Sequence, residues 1–208
     1  MHTPLKIAVF TATTLLPSAV IAEDTNGFYL KAYAGLSSLQ TDAITLGAAP
    51  ANASFDSGTA FGGAVGYDYA NSPFRAELEF TYRSGDATLP VAVGTGGDFA
   101  STTLMLNGYY MFDTASKLTP YLGLGIGYAT EIDFDIDGGG SAGEYSDRGS
   151  IAYQAMLGVE YEVSNRVSLF AETRYFSAGS NDLAGPGGTV LRADYDSLDI
   201  NAGVVFRF

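Results

Sequence analysis

One stretch of the sequence carries carboxylates at the spacing of a calcium-binding loop. Its candidate ligands are Asp133, Asp135, Asp137 and Glu144. They occupy the first, third, fifth and twelfth positions of such a loop, and Gly138 takes the sixth, where the chain must turn sharply. Two features argue against a calcium loop. Gly140 occupies a position where calcium loops carry an apolar residue, and polar and apolar residues alternate in the flanking segments as they do in strands. Two interpretations stay open: a calcium site, or an acidic loop that extends two strands.

The titratable residues do not favour catalysis. The sequence has no cysteine and a single histidine, His2, which falls in a segment expected to be removed. General base catalysis and the activation of a nucleophile most often depend on histidine. A serine–lysine pair would have to use Lys31 or Lys117, and neither has an evident nucleophile. We therefore expect no enzymatic activity, and no cofactor other than the calcium considered above.

A second set of charged residues recurs at every other position, which suits ion pairing. Apolar residues alternate with charged residues and one threonine over residues 74–83, and charged residues again lie two apart at 172 and 174. Because alternate residues of a strand share one face, these side chains would meet inside a closed sheet. The expected ion-pair network consists of Lys31, Arg75, Glu77, Glu79, Glu172 and Arg174. We expect Lys31 and Arg174 to pair with the glutamates near the middle of the barrel.

The N-terminal residues predict an export signal rather than part of the fold. A short basic start with Lys6 precedes an apolar run over residues 7–16, and small residues surround Ala22. This is the layout of a secretory signal peptide, with cleavage after Ala22. The apolar run is too short to span a bilayer as a helix. The sequence therefore divides into a signal peptide, residues 1–22, and one domain, residues 23–208.

After residue 26 the apolar residues alternate with polar ones, a period of two that indicates β-strands. Eight such segments follow one another along the chain. They are Gly27–Leu36, Thr59–Ala70, Phe74–Arg83, Phe99–Phe112, Pro120–Glu131, Ser150–Val163, Val167–Phe176 and Arg192–Phe208. Short connections alternate with long ones at residues 37–58, 84–98, 132–149 and 177–191. Short turns on one side and long loops on the other are typical of outer-membrane barrels.

The polarity of the two faces indicates that this barrel crosses a membrane. A water-soluble barrel would bury Arg75, Glu77 and Glu79 in an apolar core, whereas a membrane barrel turns them into its lumen. Eight antiparallel strands close without an edge and leave a lumen that side chains can fill. We therefore predict an all-β fold: an eight-stranded antiparallel up-and-down transmembrane β-barrel with a polar, side-chain-filled lumen. The other expected lumen residues are Asp68, Arg83, Asn107, Glu131, Gln154, Glu160, Glu162, Asp199, Asn201 and Arg207.

Aromatic residues cluster at the ends of the strands, where a membrane barrel carries its aromatic girdles. We expect one girdle near the short turns and a second near the opposite strand ends. The first consists of Tyr67, Tyr69, Phe74, Tyr110, Phe112, Tyr121, Tyr161, Phe206 and Phe208. The second consists of Tyr82, Tyr128, Tyr153 and Tyr175.

Several short motifs carry a family resemblance over residues 27–208. They are Phe28-Tyr29-Leu30, Gly63-Ala64-Val65-Gly66-Tyr67, Ala76-Glu77-Leu78-Glu79, residues 120–127 and the terminal Phe208. With these motifs the chain resembles the opacity-type surface antigens and the transmembrane domain of outer-membrane protein A. The resemblance implies that Val204, Phe206 and Phe208 form a C-terminal signal read by the barrel-assembly machinery. It also implies periplasmic chaperones, outer-membrane lipids and lipopolysaccharide as partners, in the outer membrane of a Gram-negative bacterium.

The long connections are acidic and suggest a role at the cell surface. Their acids are Asp42, Asp56, Asp86, Asp98, Asp133, Asp135, Asp137, Glu144, Asp147 and Asp182. The formal charge of -13, with 10 basic against 23 acidic residues, excludes a nucleic-acid partner. The resemblance implies either a surface antigen or adhesin that binds host or surface ligands, or a structural barrel. A narrow cation-preferring pore is a further alternative. We expect the loops to be extracellular and both termini to be periplasmic.

Overall fold

The computed structural model describes residues 27–40, 43–46, 49–52, 54–55, 57–88, 96–139 and 142–208. The predicted signal peptide lies outside the described residues, as do Asp42, Asp56 and Gly140. Within the described ranges, no helix has both the length and the apolar character needed to cross a membrane.

Strands make up nearly all of the described structure. Eight long ones are β1 (Phe28–Leu39), β5 (Gly58–Asp68), β6 (Phe74–Thr88), β7 (Gly96–Met111), β8 (Leu118–Asp137), β10 (Ser150–Ser164), β11 (Val167–Ala184) and β12 (Val190–Arg207). Four short ones are β2 (Ala43–Leu46), β3 (Ala49–Asn52), β4 (Ser54–Phe55) and β9 (Gly143–Asp147). The long strands pair antiparallel in chain order, and β12 returns to β1, so the sheet closes into a ring. The predicted eight-stranded barrel is confirmed.

The outer face of the ring is apolar, as the alternation predicts. Large hydrophobic side chains point away from the lumen on every long strand and remain exposed. Examples are Leu30, Phe61, Leu78, Leu104, Leu124, Ile151, Leu169 and Ile200. An apolar surface of this extent is far larger than a water-soluble protein leaves in contact with water. Its medium is therefore the hydrocarbon of a membrane.

The strands are longer than the sequence pattern predicts at the end opposite the short turns. About 10 residues suffice for a tilted strand to cross a bilayer, but β8 has 20 residues and β11 and β12 have 18 each. At barrel tilt, the surplus of about 10 residues corresponds to roughly 25 Å. Much of the predicted loops 84–98, 132–149 and 177–191 is thus strand, and the barrel wall continues beyond the membrane. This end is termed the long-strand end, and the other the short-turn end.

A β-bulge in β8 reverses which residues face the lumen. Thr103 pairs with Ala129 and Thr102 with Glu131, so Thr130 has no partner residue on β7. Below the bulge the odd-numbered residues of β8 point inward, and above it the even-numbered ones do. The expectation that Glu131 faces the lumen is therefore wrong. It lies on the outer surface, where Arg148 Nε donates to it at 3.0 Å.

A second β-bulge, in β11, likewise reverses which residues of that strand face the lumen. Ser177 pairs with Asp196 and Ser180 with Asp194, which leaves two residues of β11 opposite one of β12. Gly179 within this bulge has a φ of 66°, in the left-handed region that glycine adopts without strain. As a result Leu183 turns into the interior, although strict alternation from Arg174 would turn it outward.

The two aromatic girdles are largely present, with one correction. Tyr128, Tyr153 and Tyr175 are exposed on the outer face, on the side of the membrane-spanning wall that leads to the long-strand end, and Phe74 packs edge-on against Tyr110 near the short turns. Tyr121, however, is buried in the lumen rather than exposed to lipid. It shares the inward parity of the odd-numbered residues on the lower part of β8.

Candidate functional site

The middle of the lumen holds five charged side chains, termed the middle cluster. Its members are Lys31, Glu77, Glu79, Glu172 and Arg174. Arg174 donates through both terminal nitrogens to the two carboxylate oxygens of Glu79, at 2.8 Å each, and to Glu172 at 2.7 Å. Lys31 Nζ lies 3.4 Å from an oxygen of Glu77 and 3.4 Å from one of Glu172. All five are buried. The structure thus brings together the expected network except for Arg75.

Aromatic residues complete the surroundings of the middle cluster. The hydroxyl of Tyr29 donates to Glu77 at 2.6 Å, and that of Tyr121 donates to Glu172 at 3.1 Å. The ammonium group of Lys31 lies over the ring of Phe170, 4.5 Å from its centroid. An unpaired charge is costly in an interior of low dielectric constant, so the cluster depends on each of its members.

Arg75 belongs to a separate cluster at the short-turn end of the lumen. Its Nε lies 2.5 Å from Asp68, and its Nη1 lies 2.9 Å from Glu160. Arg207 pairs with the same two carboxylates and donates to Ser168 at 2.8 Å. Two arginines and two acids therefore alternate around a ring of four ion pairs. This set is termed the closing ring: Asp68, Arg75, Glu160 and Arg207.

A third charged group, which consists of one ion pair, lies above the middle cluster, toward the long-strand end. Arg83 Nε donates to Asp199 at 2.9 Å, and Arg83 Nη1 donates to Thr103 at 3.3 Å. Asp199 also accepts a hydrogen bond from Ser37 at 2.7 Å. The guanidinium of Arg83 stacks on Phe176, 4.3 Å from the ring centroid. Both charges are fully buried, so this level of the lumen is also filled.

Above the ion pairs, the interior becomes apolar. The buried side chains at this level, termed the apolar cap, are Leu39, Phe99, Ile132, Phe134, Ile136, Tyr145, Leu183, Leu191 and Tyr195. The two bulges described above aim Ile132 and Leu183 into this group. The lumen therefore has ionic layers in its lower and middle parts and a hydrophobic core at the long-strand end.

Inward glycines on β8 make room for neighbouring side chains. A Cβ at Gly123 would lie 2.6 Å from Tyr109 and 2.7 Å from Met156, and one at Gly125 would lie 2.2 Å from Asn107. The space is thus used by residues of the adjacent strands β7 and β10. Side chains of neighbouring strands therefore fill the space over these glycines.

The candidate calcium ligands lie on paired strands. Asp133, Asp135 and Asp137 occupy the outer face of β8, and Glu144 lies on β9 opposite Asp135. On the other side of β8, Asp135 is also opposite Asp98. Among the described residues, no group of three or more histidine, cysteine, aspartate or glutamate side chains is arranged to hold a metal ion. The acids instead form a carboxylate row across the sheet: Asp86, Asp98, Asp135 and Glu144.

Burial and mutual repulsion raise the pKa values of two acids in this row, Asp98 and Asp135. Burial, followed by the charges of Asp135, Asp137 and Asp86, raises the pKa of Asp98 above its ordinary value. Burial, followed by the charges of Glu144 and Asp137, likewise raises the pKa of Asp135. Like charges directly opposite each other destabilise a sheet, so the long-strand end carries an electrostatic cost at neutral pH.

Acidification from pH 7 to pH 4 is therefore expected to stabilise the long-strand end. A raised pKa means that the folded state binds protons more tightly than the unfolded chain, in which the pKa of aspartate is about 3.9. Stability then increases as the pH falls from the raised value toward that of the unfolded chain. Amide exchange of residues 96–101 and 132–137, corrected for intrinsic rates, should slow. Asp98→Asn should show a smaller response, and Asp113→Asn, in a short turn, should respond like wild type. Faster corrected exchange on acidification would contradict this assignment.

The predicted assembly-signal residues lie together at the C-terminal end of β12: Val204 and Phe206 are on its outer face, and Phe208 directly follows the strand. Val204, Phe206 and Phe208 are between 41% and 51% exposed. Phe206 and Phe208 contact each other edge to face, with ring centroids 5.5 Å apart. Their side chains are therefore accessible from the membrane side, as recognition by an assembly factor requires.

Comparison with known proteins places these features in context. A family model described as "Outer membrane protein beta-barrel domain" matches residues 8–208. Outer membrane protein PagN of Salmonella typhimurium is 30% identical over 181 residues, which cover 71% of this chain and 73% of PagN. Outer membrane protein W of the same organism is 29% identical, covering 76% of each chain. The crystal structure of Neisserial surface protein A has a TM-score of 0.58 at 25% identity, covering 88% of this chain and 97% of that one.

Proposed function

Because the chain belongs to the outer membrane protein beta-barrel domain family, we propose that it is a closed outer-membrane anchor whose protruding wall contacts other surfaces. The observation that carries this proposal is the combination of a filled lumen with strands that continue far beyond the membrane. The role is non-catalytic. The only histidine lies in the predicted signal peptide, and the buried carboxylates and cations of the lumen are engaged with one another.

Three levels of the lumen support closure to ions. The closing ring, the middle cluster and the pair of Arg83 with Asp199 follow one another along the axis, and the apolar cap lies above them. A permeating ion would have to break buried ion pairs and then cross an apolar layer, each of which is costly.

Planar-bilayer recordings of the purified protein should therefore show no discrete conductance steps, under conditions in which a reconstituted porin shows them. Regular cation-selective steps from the wild-type protein would favour the alternative, a narrow cation-preferring pore. Replacing the apolar-cap residue Phe134 with alanine would then be expected to raise that conductance. Under the closed-anchor proposal, the same variant stays silent because the ionic layers below remain intact.

The protruding wall supports the contact role. Its outer surface carries the carboxylate row, while its interior is packed by the apolar cap, so it is a rigid and acidic structure. We assign the long-strand end to the cell exterior, and the short turns and both termini to the periplasm. A rigid acidic surface favours cationic or polar partners, since complementary charge steers association. Lipids, lipopolysaccharide, assembly factors and chaperones are the partners expected on the other faces.

The orientation is tested by labelling intact cells. The chain has no cysteine, so Arg148→Cys and Ser72→Cys each introduce a single thiol. An impermeant maleimide should label the first, which lies next to β9, and not the second, which lies in a short turn. Labelling of Ser72→Cys alone would reverse the assignment.

Contact and structural roles are separated by comparing a deletion strain with a strain that carries a shortened barrel. The shortened barrel lacks residues 138–149 and 181–191 but keeps the membrane-spanning wall. Loss of adhesion in both strains supports surface contact. Adhesion that survives in both, with envelope leakage in the deletion strain alone, supports a purely structural barrel.

Calcium binding by Asp133, Asp135, Asp137 and Glu144 remains the other alternative, because acids on facing strands concentrate negative charge. Isothermal calorimetry at millimolar calcium tests it directly. Under the anchor proposal, no saturable heat is expected. A saturable heat that disappears in Asp135→Asn would support the calcium alternative instead.

A further inference from the structure

The closing ring unites four strands that are not all neighbours in the sheet. Asp68 and Arg75 face each other on β5 and β6, whereas Glu160 lies on β10 and Arg207 on β12. Arg75 and Glu160 are 85 residues apart in sequence, and Arg207 and Asp68 are 139 apart. These contacts reach across the lumen and across β1, so they can form only after the barrel has closed.

The ring also involves the last residue pair of the strand that closes the barrel. Arg207 is opposite Tyr29 in the pairing of β12 with β1. The side chains of Arg207 and Asp68 are 26% and 32% exposed, whereas those of Arg75 and Glu160 are 7% exposed. Water therefore reaches one side of the ring, and its ion pairs can form as β12 arrives. The middle cluster, in contrast, is fully enclosed.

We propose that the closing ring is a register lock, which selects the alignment of β12 on β1 when the barrel closes. The reason is that a displacement of β12 by two residues keeps every side chain on its correct face. Backbone hydrogen bonding distinguishes the two alignments weakly, because most of the ladder re-forms after such a slip. The side chains must therefore determine whether the native or the slipped alignment forms.

A slip of two residues breaks the charge balance of the ring. On β1, β12 can slip in two directions: either Val205 takes the place of Arg207 opposite Tyr29, or Arg207 moves opposite Lys31. In both cases Arg207 leaves its position beside Asp68, so two cations and two carboxylates no longer alternate around the ring, which disfavours the slipped state. Gly203 adds a steric requirement, since a Cβ there would lie 2.1 Å from the carbonyl oxygen of Ala32. The alternation of charges favours the native alignment of β12 on β1 in addition to this steric effect.

Engineered disulfides measure the register directly, because the chain has no cysteine of its own. Ala32 lies opposite Val204 on the outer face, so Ala32→Cys with Val204→Cys reports the native alignment. Ala32→Cys with Ala202→Cys, or with Phe206→Cys, reports a slip of two residues. Each pair is introduced into the full-length protein, oxidised in isolated outer membranes, and quantified as cross-linked fraction.

Arg207→Gln is expected to raise the ratio of slipped to native cross-link by about tenfold, equivalent to about 1.4 kcal/mol. Arg166→Gln is the matched control, since it removes an exposed arginine at the same end of the barrel and should leave the ratio unchanged. A ratio that stays at the wild-type value in Arg207→Gln, or that rises equally in Arg166→Gln, overturns the proposal.

A charge-inverted ring separates alternation from residue identity. It combines Asp68→Arg, Arg75→Glu, Glu160→Arg and Arg207→Glu, which keeps opposite charges adjacent. The register lock predicts that this variant recovers the native cross-link ratio. If it folds with slipped strands, or if neither it nor Arg207→Gln assembles, charge alternation is not what sets the register and the proposal fails.

Discussion

Replacing Arg174 with alanine is expected to lower the free energy of unfolding in detergent by about 3–5 kcal/mol, because removing one partner strands buried charge. Arg174 is fully buried and contacts both Glu79 and Glu172. Without Arg174, Lys31 is the only cation left in the middle cluster beside its three glutamates. The change in the free energy of unfolding is measured by urea titration, with the folded fraction at each urea concentration read from heat-dependent gel mobility.

Arg192→Ala is the matched control for this experiment. Arg192 also makes a two-bonded contact with a carboxylate, that of Asp182, but both side chains are more than half exposed. Exposed ion pairs contribute little to stability, so the control should unfold at the wild-type urea concentration. The triple variant Arg174→Met, Glu79→Gln, Glu172→Gln should lose less than Arg174→Ala, since it leaves no unpaired charge of these three. An Arg174→Ala variant as stable as wild type would show that the middle cluster does not hold the barrel together.

Deleting Thr130 and Glu131 together is expected to unfold the long-strand end while leaving the membrane-spanning wall intact. Ile132 then follows the inward residue Ala129 directly, so strict alternation turns Ile132, Phe134 and Ile136 outward. Each of these is at most 5% exposed, and each fully buried side chain contributes about 1.5–3 kcal/mol. The aspartates between them would turn into the apolar cap, at a further cost. Amide exchange of residues 132–137 and 99–101 should accelerate to the rates of unprotected chain.

Deleting Thr130 alone is the matched control, because Glu131 then follows Ala129 and Ile132 still faces inward opposite Ser101. This control also removes the hydrogen bond that the Thr130 hydroxyl donates to the Thr102 carbonyl oxygen at 3.0 Å. Its exchange pattern should match that of wild type. Full protection of residues 132–137 after the double deletion would mean that the chain absorbs the two missing residues elsewhere and that the parity of β8 does not decide which residues enter the apolar cap.

The glutamates of the middle cluster illustrate what can be inferred from local sequence. Glu77 and Glu79 lie two residues apart among apolar neighbours, which is enough to place both in the lumen. Arg75 follows the same rule and also faces inward, yet it pairs with Asp68 and Glu160 instead of these glutamates. The alternation specifies a face, but it contains no information about height in the barrel or about which side chain stands across the lumen.

Glu131 and Leu183 show where local inference fails. Both follow a bulge, and a single inserted residue inverts every assignment beyond it. Gly179 is a signal that could have revealed the bulge in β11, since glycine within a strand often marks such a site. Thr130 carries no comparable signal, because threonine is an ordinary strand residue. The sequence pattern therefore predicts loops where the long-strand end is formed by strands.

By itself, the sequence determined that the chain forms eight membrane-crossing strands with apolar residues outside and ionic residues inside. That follows because the period of two is a property of neighbouring residues in one strand. Only the tertiary structure decided which ion pairs form, where the two bulges lie and how far the wall continues. These depend on the register between strands that are distant in sequence, and register is set by the closure of the whole ring.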